Sequence, residues 1–343
     1  MRQLLNTLYV TSPNSYLSLD GENVVVLCEE KEKIRVPLHN LESIIAFGYT
    51  GASPALMGEC AENNIALTFL TQNGRFLARV TGETKGNVIL RKAQFRIAES
   101  EAQSAKIAKN FIIGKIYNAR GVIERAVRDH ELRLDISKLK QASQFLMQSI
   151  NLVSKCSNLD QLRGFEGEAA STYFSVFDEL ILQQKNDFYF KGRNKRPPLD
   201  NVNAMLSFVY TLLAHDTAAA AEAVGLDAYV GFMHRDRPGR ISLALDIMEE
   251  LRAICADRFV LSLINKKQVD ACGFFQKENG AVIMNDDTRR IILSAWKKRK
   301  QQQLTHPFLE ETIEWGLVPY VQAMLLARFI RGDLDEYPPF LWK

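Results

Sequence analysis

Apolar residues change their spacing once along this chain, close to residue 81, and no other feature constrains the fold as much. Up to Thr81 they come in short, strand-like runs. Tyr16-Leu17-Ser18-Leu19 and Val24 to Leu27 flank Asp20-Gly21, a two-residue hairpin signal. Ile34-Arg35-Val36, Ser43 to Phe47, Ile65 to Thr71 and Arg75 to Val80 read as further strands, with a helical piece from Pro54 to Asn63 and a tight turn at Asn73-Gly74. Thr81-Gly82-Glu83-Thr84-Lys85-Gly86 is polar and glycine-bearing, the composition of a segment between domains. Beyond it the apolar residues recur at helical spacing over Val88 to Arg128, Ile136 to Ser154, Leu159 to Gln184, Val202 to Val224, Ile241 to Ile264, Asp287 to Lys300 and Leu309 to Arg331. Phe274-Phe275-Gln276 and Ala281-Val282-Ile283, around Lys277 to Gly280, read as one short hairpin among them. The expected fold class is α+β, with a small β-rich N-terminal domain over 1–84 and a larger all-helical C-terminal domain over 87–343. No fixed-period repeat is present, which argues against a solenoid.

Composition narrows the setting. The net charge of +3, from 43 basic against 40 acidic residues, is too small to indicate nucleic acid by itself, so any basic surface has to be local. Cys28, Cys60, Cys156, Cys255 and Cys272 are scattered, odd in number and never spaced Cys-x-x-Cys, which disfavours a disulfide framework or a thiolate zinc site. There is no run of about 18 apolar residues and no signal-peptide order at the N-terminus. The expectation is a cytoplasmic protein with no membrane segment.

The stretch Tyr229 to Arg252 concentrates the chemistry. A basic loop carries His234, Arg235, Asp236, Arg237 and Arg240 around Pro238-Gly239. Asp246, Glu249 and Glu250 follow on a helix whose Leu243, Ile247, Leu251 and Ile254 are apolar at helical period. Acids on so apolar a helix need partners, because an unpaired buried carboxylate is unfavourable by several kcal/mol. Either a set of arginines or a divalent cation would supply them. A lone histidine before a helix is usually structural, but arginines that can clamp phosphates in a fork geometry adjoin His234, and Asp246 and Glu249 follow one and two turns into the helix, so a structural and a ligand role both stand open for the imidazole. Mixed carboxylate and imidazole ligands suit Mn2+ or Mg2+, and zinc is less favoured without cysteines.

Two other segments contribute. In Gln161 to Phe174, Glu166 shares a helix face with Ala169, Ala170 and Tyr173, and the alanines leave room for a neighbouring backbone or a ligand. Taken alone, Glu166 reads as a solvated first-turn glutamate favoured by the helix dipole. From Phe190 to Leu213, Lys191, Arg193, Lys195 and Arg196 precede Pro197-Pro198 and an Asp or Asn helix cap. Phe188, Tyr189 and Phe190 beside those cations suit phosphate contact with base stacking. Lys297-Lys298-Arg299-Lys300 reads as a solvated helix end. A Gly-x-Ser-x-Gly elbow, a phosphate loop and a dinucleotide fingerprint are all missing from the sequence.

Together the three segments resemble one family, the CRISPR-associated adaptation integrase and endonuclease ("Cas one"). The resemblance rests on Arg163-Gly164-Phe165-Glu166-Gly167-Glu168-Ala169-Ala170 with Tyr173-Phe174, on Arg196-Pro197-Pro198 with Asn203-Ala204-Met205-Leu206-Ser207, and on Gly231-Phe232-Met233-His234 through Ser242 to Glu249. It implies a metal-dependent endonuclease and integrase that inserts spacer DNA into CRISPR arrays, the 3′-hydroxyl of a foreign fragment attacking a phosphodiester of the repeat. It also implies Glu166, His234 and Glu249 as catalytic ligands of Mg2+ or Mn2+, with Asp246 in support and Glu250 as the ambiguity. Double-stranded DNA, an asymmetric homodimer built largely through the β domain, and a small ferredoxin-like partner ("Cas two") bridging two dimers complete the implied assembly. Lys195, Arg196, Arg235, Arg237 and Arg240 are the candidate phosphate contacts. The alternatives are a non-catalytic DNA-binding scaffold, in which the acids only balance arginines, and a general metal-dependent phosphodiesterase.

Overall fold

The structure is a computed structural model that describes residues 6–12, 14–29, 31–72, 74–82, 88–194 and 196–342. Strand-forming runs give β1 (Asn6–Val10), β2 (Ser15–Asp20), β3 (Asn23–Cys28), β4 (Lys31–Pro37), β5 (Leu41–Phe47), β6 (Gly51–Ala52), β7 (Ala66–Leu70) and β8 (Phe76–Arg79), with helix α1 (Pro54–Glu62) between β6 and β7. They form two four-stranded sheets, ordered β1-β5-β7-β8 and β4-β3-β2-β6. The β2–β3 hairpin pairs Asp20 with Asn23, so its two-residue turn is Gly21-Glu22, one residue later than Asp20-Gly21. Gly21, at φ +57°, takes the left-handed position. Ser53 caps α1 by accepting from the Leu56 amide. Leu17, Val24, Ile44, Leu56 and Leu67 are fully buried members of one apolar core. Asn73 of the expected second turn and most of the expected linker, 83–86, lie outside the described residues.

Beyond the linker come α2 (Val88–Glu99), α3 (Glu101–Asp129), α4 (Ile136–Lys155), α5 (Leu159–Ser175), α6 (Asn201–Ala223), α7 (Ser242–Glu249), a π-helical segment (Arg252–Asp257) and α8 (Arg258–Asn265). The hairpin β9 (Phe274–Gln276) and β10 (Val282–Met284), helix α9 (Asp286–Lys300), the pair β11 (Gln303–Thr305) and β12 (Thr312–Glu314), and α10 (Val318–Arg331) complete the chain.

Several expected helices are subdivided for local reasons. Val88 to Arg128 splits at Ser100, whose hydroxyl accepts from the Gln103 amide and starts α3 afresh. Leu159 to Gln184 ends as α5 at Ser175 and continues only as a short 3-10 turn, Phe177–Leu180. Ile241 to Ile264 changes pitch through Arg252–Asp257, a wider turn of the kind that often accompanies functional sites. The expected Leu309 to Arg331 helix starts only at Val318, because Thr312–Glu314 pairs as a strand. The short β11–β12 ribbon also qualifies the expectation of an all-helical second domain.

The chain separates into two compact units, one of Met1–Lys85 with Met284–Gln302 and Glu314–Gly316, the other of Gly86–Ile283 with Gln303–Ile313 and Leu317–Lys343. Sequence order alone runs the helical domain unbroken over 87–343. Contacts instead place α9 with the β-rich unit, where it buries Ile292, Leu293 and Trp296. Its Lys300 ammonium pairs with Glu42 at 3.2 Å and donates to Thr7 at 3.3 Å.

Candidate active site

The site lies within the helical unit and begins with a close approach. A Cβ on Gly231 would stand 2.8 Å from Ser242 Cβ and 2.9 Å from Asp246 Oδ2, so only glycine lets the loop lie against α7 there. The loop is held from the other side by Gln94 of α2, whose amide donates to the Asp227 and Val230 carbonyls and accepts from the Asp227 amide. Asp246, fully buried, is saturated by this contact. Its Oδ2 accepts from the Phe232 and Met233 amides at 2.6 and 2.9 Å, and its Oδ1 accepts from the His234 amide at 3.0 Å and from His234 Nδ1 at 2.5 Å. A carboxylate oxygen can only accept here, so Nδ1 donates to Asp246 and Nε2 is the ring nitrogen turned to the rest of the site. Nε2 faces Glu249 Oε1 at 3.8 Å.

Glu249, on the next turn of α7, sits among cations. Arg252 Nη1 lies 2.9 Å from Oε1, and Lys115 Nζ from α3 lies 2.7 Å from Oε2. The same ammonium pairs with Glu166 Oε1 of α5. Burial pushes the Glu249 carboxyl up, but Arg252, Lys115 and His234 outweigh it and hold the group ionised, down to about 2. Arg163, one turn before Glu166, donates to the Met233 carbonyl at 2.9 Å and so ties α5 to the His234 loop.

Glu250 faces away from this cluster. It accepts from the Tyr337 hydroxyl, the Phe340 amide and Gln322, and burial raises its carboxyl to about 8. A Cβ on Gly114 of α3 would meet Glu250 Cβ at 3.0 Å, so that glycine also serves a close approach. Asn118, one turn on, donates to the Glu250 and Phe340 carbonyls at 2.7 and 2.6 Å and accepts from the Trp342 amide. Glu250 is therefore a bolt for the chain's last residues.

The small residues beside Glu166 do leave room. Ala169, Ala170 and Tyr173 join Lys115, Arg252 and Asp257 around a cavity of about 110 Å³. Other expectations are revised. Phe188 and Phe190 are buried, Phe190 packing on Phe174 and Phe177 with centroids at 5.6 and 4.8 Å, so neither is free to stack on a base. Tyr189 is exposed, with Lys191 over its ring. Arg193 donates to Asn203 and Ser207 and lies over Tyr210, a structural role. Asp200 supplies the expected cap of α6. Among the candidate phosphate contacts, Arg196, Arg235 and Arg237 are exposed and Arg240 is half-buried, while Lys195 lies outside the described residues. Arg235 also reaches Asp160 at 3.3 Å.

Sequence reasoning missed Lys115, Arg163 and Arg252 as members of the site. Arg252 had a signal, its three-residue spacing from Glu249 on an apolar helix. Lys115 had none, because its partners come from other helices.

Among the described residues, no three His, Cys, Asp or Glu side chains converge closely enough to hold an ion as they stand. The Lys115 ammonium instead stands between Glu166 and Glu249. The donor set nevertheless suits a hard divalent ion, with two carboxylates and an imidazole whose free nitrogen is set by Asp246. Glu249 Oε2 fits that role as well, since it is buried and has only an ion-pair contact, without hydrogen-bond geometry.

Residues 8–298 match the family described as CRISPR associated protein Cas1. The chain is 51% identical over 343 residues, the full length of both, to CRISPR-associated endonuclease Cas1 1 of Chlorobaculum tepidum. Among solved structures it is similar to a casposase bound to integration product, with a TM-score of 0.82 at 21% identity over 99% of this chain and 95% of that one. It is similar as well to a chain of a Cas6-RT-Cas1–Cas2 complex, with a TM-score of 0.81 at 23% identity, covering 99% of this chain and 36% of that longer one.

Proposed function

This chain belongs to the family of CRISPR-associated Cas1 proteins, and from that premise we propose that it is a nuclease and integrase of CRISPR adaptation. In this reading it joins the 3′-hydroxyl of a short foreign DNA fragment to a phosphodiester at the edge of a CRISPR repeat. The observation that carries the site assignment is the order imposed along α7. Asp246 takes up the loop amides and the Nδ1 proton, so that His234 Nε2 and the ionised Glu249 point at one another.

Glu166, His234 and Glu249 would hold Mg2+ or Mn2+. Such an ion, when bound, supplies Lewis-acid activation of a phosphodiester and a lowered pKa for the attacking hydroxyl. The chain's own residues do the rest. Asp246 keeps the imidazole in one tautomer and one orientation, and Arg163 keeps the Glu166 helix in register with the His234 loop. Arg252 holds Glu249 as an anion and adds positive charge beside the reacting phosphate. Arg196, Arg235, Arg237 and Arg240, with Lys195, are assigned to the DNA backbone. Each phosphate they neutralise contributes a salt slope of about −0.9 on duplex DNA.

We assign a homodimer through the β-rich unit, whose β4 edge leaves Ile34 exposed, and a small ferredoxin-like Cas2 partner. The Cas2 assignment is supported by the complex to which the chain is similar. No described helix is long and apolar enough to cross a membrane, in keeping with a cytoplasmic setting for DNA capture.

The test is a joining assay with a DNA fragment, a repeat-bearing plasmid and the small partner. Glu166→Ala and His234→Ala should each abolish joining in Mg2+ or Mn2+ while leaving the circular dichroism spectrum unchanged. Full joining by either variant overturns the site. The scaffold reading draws on one observation, that Lys115 and Arg252 already neutralise the acids. It requires DNA binding that survives a chelator, with no joining at all.

A further inference from the structure

We propose that Lys115 is a resident cation, and that a divalent ion enters this site by displacing its ammonium from between Glu166 and Glu249. Metal loading is then an exchange of cations. The inference rests on the reading of Glu166, His234 and Glu249 as the metal ligands.

The charge arrangement requires the exchange. Lys115 Nζ is paired with both carboxylates, its side chain only 15% exposed, and Arg252 holds the other oxygen of Glu249. Glu166 and Glu249 are thus already neutralised one for one. A divalent ion drawn to the same two carboxylates would add positive charge beside the ammonium, and like charges in a poorly solvated site repel strongly. Both cannot stay.

What can move is also clear. The backbone of α3 is fixed on either side of Lys115, by the close approach of Gly114 to Glu250 and by the three hydrogen bonds of Asn118. The lysine stem, four carbons with rotatable bonds, is the mobile part. The 110 Å³ cavity bordered by Lys115 offers it room, and Asp257 lines the same cavity as an alternative anion. Bound DNA would bring phosphates that can also take the released ammonium, so metal and DNA should load together.

The test is a Mn2+ titration of the full chain, without DNA, followed by the electron paramagnetic resonance of free Mn2+. Lys115→Met should bind Mn2+ more tightly than the natural protein, on the order of tenfold, because the competing charge is gone. Its unfolding temperature in a chelator should fall, with two carboxylates left facing one another, and Mn2+ should raise it by more than it raises that of the natural protein. Lys115→Arg, which keeps the charge, should show no tightening. Equal or weaker Mn2+ binding by Lys115→Met overturns the exchange and makes the lysine a support for the ion. His234→Ala separates the two levels of the argument: if it binds Mn2+ as well as the natural protein does, the ligand assignment fails first.

Discussion

Glu249 and Glu250 are neighbours in the chain and almost equally buried, yet their carboxyls are driven in opposite directions. Burial raises both. At Glu249 the cations Arg252 and Lys115, with His234, overcome it, and the group falls to about 2. At Glu250 only neutral donors are present, from Tyr337, the Phe340 amide and Gln322, and the group stays at about 8. Asp257, two turns on, lies between them. Burial raises it, while the Tyr210 hydrogen bond and the Arg252 and Arg193 charges hold it at about 6. Burial alone therefore does not mark a functional acid; the charges that face it do. The ionised member is the one a metal ion can use, and the neutral member fastens the fold.

The comparison can be broken from either side. The largest effect should come from Glu249→Gln, which keeps the shape and removes the charge: strand joining should fall on the order of a thousandfold or more. Residual joining within tenfold of the natural protein would place the ligand elsewhere. Next is Glu250→Ala, which strips the acceptor from three buried donors and should lower unfolding free energy by about 3 kcal/mol. Urea midpoints at constant slope measure it, and a loss below about 1 kcal/mol would show that Glu250 is not the bolt.

Asp257 sharpens the same contrast through pH. Its folded pKa is raised from 3.8 to about 6, so between those values the folded chain binds more protons than the unfolded one, and stability falls as pH rises through that window. Asp257→Asn removes this dependence. Relative to the natural protein it should gain up to about 3 kcal/mol between pH 4 and pH 7. A pH-independent difference would contradict the raised pKa. The smallest effect belongs to Asp246→Asn, which leaves the ligands in place but loosens the His234 tautomer. Metal affinity should drop about 10- to 100-fold, and no change in Mn2+ affinity would remove Asp246 from its positioning role.

Much of this was legible in residue order because it depends on local causes. The β2–β3 hairpin, the Asp200 cap of α6 and the apolar faces of the helices follow from turn chemistry and periodicity within a few residues. Helix ends were less legible. A serine that can cap, such as Ser100, is only a cap if the chain turns there, and the wide turn at Arg252–Asp257 has no residue signature. The site divided in the same way. Glu166, His234, Asp246 and Glu249 stand out as acids and an imidazole in motifs, whereas Phe188 and Phe190 next to basic residues gave a misleading suggestion of stacking.

What residue order determined by itself is the chemistry on offer: a β-rich unit, a helical unit, and one apolar helix that carries three acids behind a histidine loop. What only tertiary structure decided is which acid meets which charge. Adjacent residues on a helix point about 100° apart, and on α7 every residue but the half-buried Leu245 is buried, so nothing local separates Glu249 from Glu250. Lys115 arrives on one side and the segment from Tyr337 to Trp342 on the other, both from distant parts of the chain. Those arrivals make one glutamate an anion in a cage of cations and its neighbour a neutral bolt.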